Sequence, residues 1–426
     1  MKAKAAQSKA RNRAIPAIGR SPSAILERAG PDVTRWGQTS DLEAQEVVLL
    51  AVTGMSPAIL TETIWALAHP GEGEPPIIPH RVIAVTTTEG RQKMETLFEP
   101  CPALDGQTPW GALRSALEQE GLPIEGRLRF GRTSDDVRVI TRMDLATHQS
   151  VELADIRSET DNEAVADYLL DQVRSVVENP DTRLIASIAG GRKTMSALLY
   201  ACMTLVGRET DAVTHVLVSD LFEGHPDFWF PGQPGGRLQT ADGQPLDPAT
   251  ATVQLAWVPF VSLRQFLLRE LGRKPGTFTR LIERCRSQLR QHAAHNLKVT
   301  LDVSRARLEI NGAVCDLAPA EMLAFLFFVT RLKQNEPPFP TYKDALDQLN
   351  EFREEQRQTS VGQMDSWRLA SSLSRPWDEH DLARALANLR DRLRKLGAEG
   401  AILSACLPER GRCGLDMPSG VIYLRG

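Results

Sequence analysis

The feature that most constrains the fold is an apolar run, Leu184 to Ile188, followed by Gly190-Gly191 and a helix-like segment that continues past Tyr200. An apolar run of this length, bounded by glycines, is typical of a buried parallel strand that ends in a turn and feeds a helix. A strand of this kind needs neighbouring strands and covering helices. The sequence therefore predicts an α/β fold built on an open sheet.

The turn of this unit has a composition that suits an anion. Glycines let the backbone approach a ligand closely, and the first N–H groups of a helix lack intrahelical partners. Arg192, Lys193 and Thr194 add two cations and a hydroxyl at this point. The pattern predicts a phosphate site, but not a Walker A loop, because Arg192 stands where that motif has glycine before lysine. A tight turn with solvated basic side chains would explain the same residues equally well.

Other strand–turn–helix units precede this one. The first runs from Val47 to Leu67, and there Ser56 is expected to cap the helix with Pro57 at its first position. The second places the turn Thr86–Gly90 after a strand that starts at Arg81. Parallel strands end at one rim of the sheet, so we expect the turns of all three units to lie together there. The GxGxxG pattern is absent, which disfavours a nicotinamide or flavin enzyme.

Composition narrows the class of protein. The 426 residues are 42% hydrophobic and 24% charged, with a formal net charge of −4, which predicts a globular protein of two or three domains and not a globally basic nucleic-acid binder. Six cysteines without a CxxC pair favour a reducing, cytoplasmic setting. The histidines have no metal-ligand spacing, and no apolar run nears 18 residues. We therefore expect no metal, no cofactor and no membrane segment.

The chain divides into four predicted segments. Residues 1–44 begin with a stretch rich in lysine and arginine and read as a disordered basic tail, with a nucleic-acid-binding arm as the alternative. Residues 45–262 form the α/β domain. Residues 263–296 read as a basic helical connector, broken at Pro275-Gly276, that could also meet nucleic acid. Residues 297–426 form a separate α+β unit.

The C-terminal unit has its own pattern of short strands and helices. Alternating residues and the turn Asn311-Gly312 predict antiparallel strands, followed by an apolar helix from Pro319 to Leu332. A basic amphipathic helix spans Asp381–Leu396, and Ala401–Cys406 with Val421–Leu424 is expected to form a terminal hairpin. The order resembles a winged helix of the response-regulator type. That resemblance implies DNA contacts, with dimer contacts as the alternative, through Arg390, Arg392 and Arg394.

Four stretches of the α/β domain, in order, resemble the CARF domains of type III CRISPR systems, and within them the NE0113-type family described as ring nucleases. They are Thr53–Thr63, Ser187–Met195, Thr214–Val218 with Phe228–Pro231, and Val258–Arg264. The resemblance implies a Rossmann-like domain with a mostly parallel sheet, and a homodimer whose two domains form one pocket for a cyclic oligoadenylate messenger. Cyclic tetra-adenylate is the favoured ring, with the hexa-adenylate left open. Cleavage of that ring would switch the immune signal off.

The implied substrate suggests the chemistry. Each adenosine carries a 2′-OH beside its own phosphodiester, so internal attack needs in-line geometry and stabilisation of negative charge. Lys193 is the predicted cation, helped by Arg192 and the amides of Gly190 and Gly191, while Ser56 would position the 2′-OH or a phosphate oxygen. The remaining predicted ligand contacts are Thr53, Gly54, Met55, Thr87, Arg157, Asp161, Asn162 and Thr194. The alternative function is a messenger-sensing, DNA-binding transcription regulator that does not cleave the ring.

Overall fold

The computed structural model describes residues 45–144, 146–240, 242–271, 277–359 and 363–426. Contacts within the chain divide it into two units, residues 1–262 and residues 263–426. The predictions of a basic tail over residues 1–44 and of a break at Pro275-Gly276 fall outside the described residues.

The first unit is a mixed α/β domain around a six-stranded sheet, in the order β10-β7-β6-β1-β2-β3. All neighbouring pairs are parallel except β10 with β7. The strands of this sheet are β1 (Glu46–Val52), β2 (Arg81–Thr86), β3 (Val137–Val139), β6 (Thr182–Ser187), β7 (Ala212–Val218) and β10 (Val253–Trp257). Two small antiparallel pairs are β4 (Thr141–Met143) with β5 (Ser150–Glu152), and β8 (Leu238–Gln239) with β9 (Pro245–Leu246). The predicted α/β class with a mostly parallel sheet is confirmed, and this arrangement is consistent with a Rossmann-like fold.

Five α-helices accompany the sheet in the described part of this unit. They are α1 (Ala58–Ala68), α2 (Thr88–Met94), α3 (Pro109–Gln119), α4 (Glu159–Val177) and α5 (Lys193–Val206). Short 3₁₀ segments lie at Glu95–Phe98, Pro102–Leu104 and Pro248–Thr250.

The central strands are buried on both faces. All six residues of β6 are buried, as are Val47–Val52 in β1. Helices cover both sides of such a sheet, which is why these strands read in the sequence as continuous apolar runs and not as alternating patterns.

The sheet order places a crevice at β1. This strand pairs with β2 on one side and with β6, which comes much later in the chain, on the other. The connections leaving the carboxyl ends of β1 and β6 therefore diverge, and in open α/β sheets ligands bind at such a switch point. The turns after β1, β2 and β6 all reach this rim.

The segment from Phe222 to Phe230 packs into the domain. The side chains of Phe222, Phe228, Trp229 and Phe230 are buried, and Thr61 in α1 donates its hydroxyl to the Trp229 carbonyl at 2.6 Å. These aromatic residues hold the long β7–β10 connection in place.

The second unit combines a four-stranded sheet with helices. The sheet order is β13-β12-β11-β14, and the strands are β11 (Val299–Asp302), β12 (Arg307–Ile310), β13 (Ala313–Asp316) and β14 (Ile422–Arg425). Its helices are α6 (Arg264–Leu271), α7 (Phe278–Ala294), α8 (Pro319–Lys333), α9 (Tyr342–Gln358), α10 (Glu379–Arg394) and α11 (Ala398–Ala405). Its 3₁₀ segments are Gln363–Leu369, Ser371–Leu373 and Ser419–Val421. Asn311 and Gly312 both have positive φ, as the predicted β12–β13 turn requires.

The predicted C-terminal hairpin is wrong. Residues 401–405 belong to α11, and β14 pairs in parallel with β11 instead of with a neighbouring strand. Gly397, with φ of 86°, separates α10 from α11, and Leu403 of α11 is fully buried in the core. The helix buries this apolar segment against α10, which a surface hairpin would not do. Of the elements predicted from the winged-helix resemblance, the basic helix is present as α10, whereas the hairpin expected to form the wing is not formed by the predicted residues.

Candidate functional site

A cleft of about 880 Å³ opens at the carboxyl edge of the sheet in the first unit. Its walls are the turns after β1, β2 and β6 and the loop that leads into α4. The lining residues are Thr53, Gly54, Met55, Ser56, Ile59, Thr87, Glu89, Asp155, Ile156, Arg157, Ser158, Glu159, Asn162, Ala189, Gly190, Gly191, Arg192, Lys193, Thr194 and Met195. Every site residue predicted for this unit lines the cleft except Asp161.

The turns after β1 and β6 touch at the base of the cleft. A Cβ atom added to Gly54 would lie 3.0 Å from the Gly191 Cα, and one added to Gly190 would lie 2.5 Å from the Val52 carbonyl oxygen. Gly191 also has φ of +75°, a conformation that favours glycine. The glycines are therefore required for the contact between two backbone segments, whether or not a ligand also approaches them.

Four helices begin at this rim, and they differ in how their first turns are satisfied. At α2, the Thr87 hydroxyl accepts from the Gly90 N–H at 3.3 Å, and Glu89 lies in the first turn. At α4, Ser158 and Asp161 form a reciprocal capping box. By contrast, α1 and α5 have neither a side-chain cap nor an acidic residue in the first turn, within the described chain. These two helices, which follow the touching glycine turns, leave their positive ends available to an anion.

The prediction that Ser56 caps α1 is wrong. Pro57 occupies the N-cap position, and no side chain caps this helix. The Ser56 side chain is exposed in the cleft, and its hydroxyl makes no hydrogen bond to any residue that the structure describes. Ser56 is therefore available to a ligand.

The cations of the cleft fall into two kinds. Arg192 donates from Nε to Asp155 Oδ1 at 2.8 Å and from Nη2 to Asp155 Oδ2. Arg157 donates from Nε to the same carboxylate at 3.1 Å and from Nη2 to Glu89 Oε1 at 3.3 Å. Lys193, exposed at the start of α5, has no hydrogen bond or ion pair with residues in the described ranges. The Lys193 ammonium group is thus available for contact with a ligand.

The ion pair between Arg192 and Asp155 shifts the pKa values of both groups. The hydrogen bonds from Arg192, with those from the Ile156 amide and from Arg157, hold the pKa of Asp155 well below its usual range. In return, the hydrogen bonds to Asp155 and its negative charge raise the pKa of Arg192. Asp155 is therefore a carboxylate at every physiological pH.

Two buried polar atoms of the cleft walls lack partners among the described residues. They are the Thr53 hydroxyl oxygen and the Asn162 side-chain carbonyl oxygen. Thr53 itself is fully buried, and its carbonyl accepts from the Thr86 hydroxyl at 3.0 Å, which ties the turn after β1 to β2. A bound ligand or water would satisfy these atoms.

Asp161, predicted as a ligand contact, has its side chain engaged by neighbouring residues. Its side chain accepts from the Ser158 and Arg157 amides and from Arg142 Nη1 at 2.9 Å. The carboxylate is thus committed to the start of α4, and Asp161 does not line the cleft. The sequence showed an acid near a helix start, a position where capping is the commoner role.

Sequence reasoning missed the residue that organises the cleft. Asp155 lies after β5, 37 positions before Arg192, in a segment without a motif. Ile156 and Glu159 were also missed, and Glu89 lay in a turn predicted for this rim without being assigned a contact, although all three line the cleft. Their only sequence signal is a position next to a helix start, which many solvated residues share.

The three predicted nucleic-acid contacts lie in the second unit and differ in exposure. Arg392 pairs with the buried Glu321, with N–O distances of 2.7 and 3.2 Å. Arg390 donates to the Pro408 carbonyl. Arg394 is exposed, with Asp391 at 3.4 Å. Two of the three side chains thus serve contacts inside the unit.

No group of three or more His, Cys, Asp or Glu side chains suited to a metal ion occurs among the described residues. In the same residues, no helix is both long enough and apolar enough to span a membrane.

Comparison with known proteins gives one family. The family model described as CRISPR-associated protein NE0113 matches residues 56–286, more than half of the 426-residue chain. No curated protein matches the chain. Among solved structures, Can2 from Sulfobacillus thermosulfidooxidans in complex with cyclic tetra-adenylate is 12% identical, with a TM-score of 0.20, and the match covers 83% of this chain and 68% of that one. A TM-score this low supports no conclusion about fold or ligand.

Proposed function

This chain belongs to the NE0113 family of CRISPR-associated proteins, and we propose that its cleft binds a cyclic oligoadenylate, cyclic tetra-adenylate by preference, and cleaves the ring. Such a protein would switch off type III CRISPR signalling. The observation that carries the proposal is the position of Lys193. It is a cation without a partner among the described residues, at the uncapped start of α5, next to the contact between Gly54 and Gly191.

The cleft supports phosphate binding by several means that converge. The starts of α1 and α5 supply N–H groups and the positive ends of two helix dipoles. Lys193 adds a charge, and Arg192 adds donors that its pairing with Asp155 leaves on its exposed edge. A nucleoside, which has no phosphate, would use none of these features.

The substrate supplies its own nucleophile. In the proposed reaction a 2′-oxygen attacks the adjacent phosphorus, the bond from phosphorus to the 5′-oxygen breaks, and the proton lost from the 2′-OH is balanced by one gained at the 5′-oxygen. The products carry a 2′,3′-cyclic phosphate and a 5′-OH. Lys193 would stabilise the negative charge that builds on the phosphoryl oxygens, and Ser56 would orient the 2′-OH or a phosphate oxygen. The described residues that line the cleft include no histidine, and positioning and charge are the contributions that we assign to the protein.

We infer that the working form is a homodimer. One chain lines a single rim with one Lys193, one Arg192 and one Ser56, whereas a cyclic oligoadenylate repeats the same phosphodiester around the ring. Two copies related by a two-fold axis would present equivalent groups to opposite phosphates.

The test is direct. Purified protein is incubated with cyclic tetra- and hexa-adenylate in excess EDTA. The products are separated by chromatography, and their masses are determined by mass spectrometry. We expect linear products that end in 2′,3′-cyclic phosphate. Absence of both binding and products would refute the proposal.

Binding without products would favour the second candidate, a messenger-sensing regulator that binds DNA through α10. Its proposed contacts are Arg390, Arg392 and Arg394, and the exposure of Arg394 is the observation that favours it. The internal pairing of Arg392 with Glu321 counts against it.

A further inference from the structure

Among the residues that the structure describes, the cleft proposed for a polyanion has no excess of positive charge. Three of these residues are carboxylates and three are cations: Glu89, Asp155 and Glu159 against Arg157, Arg192 and Lys193. A site that attracted phosphates by charge alone would not carry as many acids as bases. The acids therefore need a role of their own.

Asp155 is the acid that contacts both arginines. Its two carboxylate oxygens accept from Nε and Nη2 of Arg192, and Oδ2 also accepts from Arg157 Nε at 3.1 Å. The Asp155 side chain is 9% exposed, whereas those of Arg192 and Arg157 are 57% and 72% exposed. The carboxylate thus lies beneath two guanidinium groups whose outer edges face solvent.

The loop that carries Asp155 is held in place on both sides of it. Leu153 and Ile156 are buried, and the Thr88 amide donates to the Leu153 carbonyl at 2.9 Å. The Ile156 amide donates to Asp155 Oδ1 at 2.8 Å and fixes the carboxylate itself. The two-point pair therefore sets the direction of the Arg192 guanidinium, because the acid cannot easily follow a moving arginine.

We propose that Asp155 determines the specificity of this cleft: it cancels much of the charge of Arg192 and Arg157 and fixes their remaining donors in one direction. The cleft then selects a phosphodiester by its position and not by its charge. This inference rests on the proposed function, since the ring is the ligand whose phosphates must fit.

The two effects of Asp155 predict different outcomes for different anions. Inorganic tripolyphosphate adapts to any arrangement of cations, so it should gain from removal of the acid. The ring gains the same attraction but must now order a free guanidinium, which offsets the gain. In the Asp155→Asn variant we expect the affinity for tripolyphosphate to rise about tenfold. The affinity for cyclic tetra-adenylate should rise by less than about threefold. The dependence of tripolyphosphate binding on KCl should also become steeper.

Calorimetric titrations of both anions into the full-length protein, at two KCl concentrations, measure these quantities. Glu152→Gln is the matched control: Glu152 pairs with Arg91 through two hydrogen bonds of 2.9 and 3.0 Å but does not line the cleft. We expect its ratio of ring to tripolyphosphate affinity to equal that of the wild type. If Asp155→Asn does not fold, Glu89→Gln removes the other carboxylate that contacts Arg157 and should move the ratio in the same direction by a smaller factor.

The outcomes separate this inference from the function beneath it. An unchanged ratio in the Asp155 and Glu89 variants, with normal ring binding by the wild type, overturns the specificity role alone. Failure of the wild type to bind any ring overturns the proposed function and the inference with it. A fall in the ratio that also appears in Glu152→Gln would assign the effect to general loss of surface acids and would likewise refute the role of Asp155.

Discussion

Arg192 and Lys193 are neighbours in the chain but differ in their contacts. Arg192 donates two hydrogen bonds to Asp155, while Lys193 has no partner among the described residues. Both side chains are exposed at the start of α5. The difference follows from the tertiary structure, because only Arg192 reaches the loop after β5. On this difference rests our proposal that Arg192 orients the ligand and that Lys193 stabilises its negative charge.

Replacing Lys193 by Ala should lower the single-turnover rate of ring cleavage by about 10²-fold or more, by analogy with the loss of one donor that stabilises a developing oxyanion. Ring affinity should fall less, because Arg192 and the helix N–H groups remain. Lys93→Ala is the control, since Lys93 is exposed on α2 outside the cleft. Full activity of the Lys193 variant would contradict the assigned role.

Glu62 is a buried acid of α1 that the proposed chemistry does not use. Burial, with a smaller contribution from Glu223, raises its pKa from 4.5 to about 7. The folded protein therefore retains this proton to a higher pH than the unfolded chain does. Ionisation of Glu62 therefore lowers the free energy of unfolding. This loss of stability is nearly absent below about pH 4.5, grows as the pH rises to about 7, and stays at about 3 kcal/mol above that.

Glu62→Gln should remove that loss of stability. Thermal unfolding of the wild type and the variant should give similar midpoints at pH 4.5 and a higher midpoint for the variant at pH 8. Glu223→Gln, at an exposed position, should show the same trend to a smaller extent. A constant difference between wild type and Glu62→Gln across this range would show that the carboxyl does not titrate as described.

At the scale of elements, local sequence decides how each helix begins, and the sheet decides where. Thr87 and Ser158 satisfy the first turns of α2 and α4 from within the same segment. The starts of α1 and α5 have no such caps and come together because β1 and β6 are adjacent. The cleft thus combines two self-satisfied helix ends with two open ones.

The contact between these open turns predicts a sharp effect at Gly190. An alanine Cβ there would lie 2.5 Å from the Val52 carbonyl oxygen, and backbone cannot yield as a side chain can. Gly190→Ala should destabilise the domain by about 1–3 kcal/mol, as overpacking does, and should weaken ring binding. Gly71→Ala is the control, because its added methyl meets nothing within 4 Å and its φ is not positive. Denaturant titration that gives equal stabilities for the two variants would refute the role of this contact.

At the scale of the whole molecule, one family match spans most of the α/β unit and the start of the second unit. The cleft draws its walls from residues between Thr53 and Met195, all within the first unit. Met55 lies on its rim with 62% of its surface exposed. An exposed apolar side chain beside an open polar cleft is suited to contact with a second copy or with an adenine base.

The homodimer prediction is tested by light scattering at micromolar concentration. We expect twice the 47.0 kDa mass of the chain, and calorimetry should give one ring bound per two chains. The Met55→Ser variant should shift the equilibrium towards monomer if this side chain lies at the interface. A monomeric mass with and without the ring would contradict the prediction.

The sequence by itself determined the α/β class, the buried strand predicted over Leu184–Ile188, and the rim on which three turns meet. The structure bounds that strand at Thr182–Ser187. These features follow from local regularities: apolar runs mark buried strands, glycines mark turns, and parallel strands end at one edge. The same regularities predict Ser56, Arg192 and Lys193 at one rim of the sheet.

Only the tertiary structure decided what the polar side chains do there. Asp155 pairs with Arg192 across 37 positions, Asp161 turns away to cap α4, and Pro57 takes the cap position expected for Ser56. In the second unit, the apolar residues near Leu403 form a helix because α10 offers a surface to bury them. Such choices depend on which distant segments pack together, and no local pattern in the chain encodes the distance between two side chains.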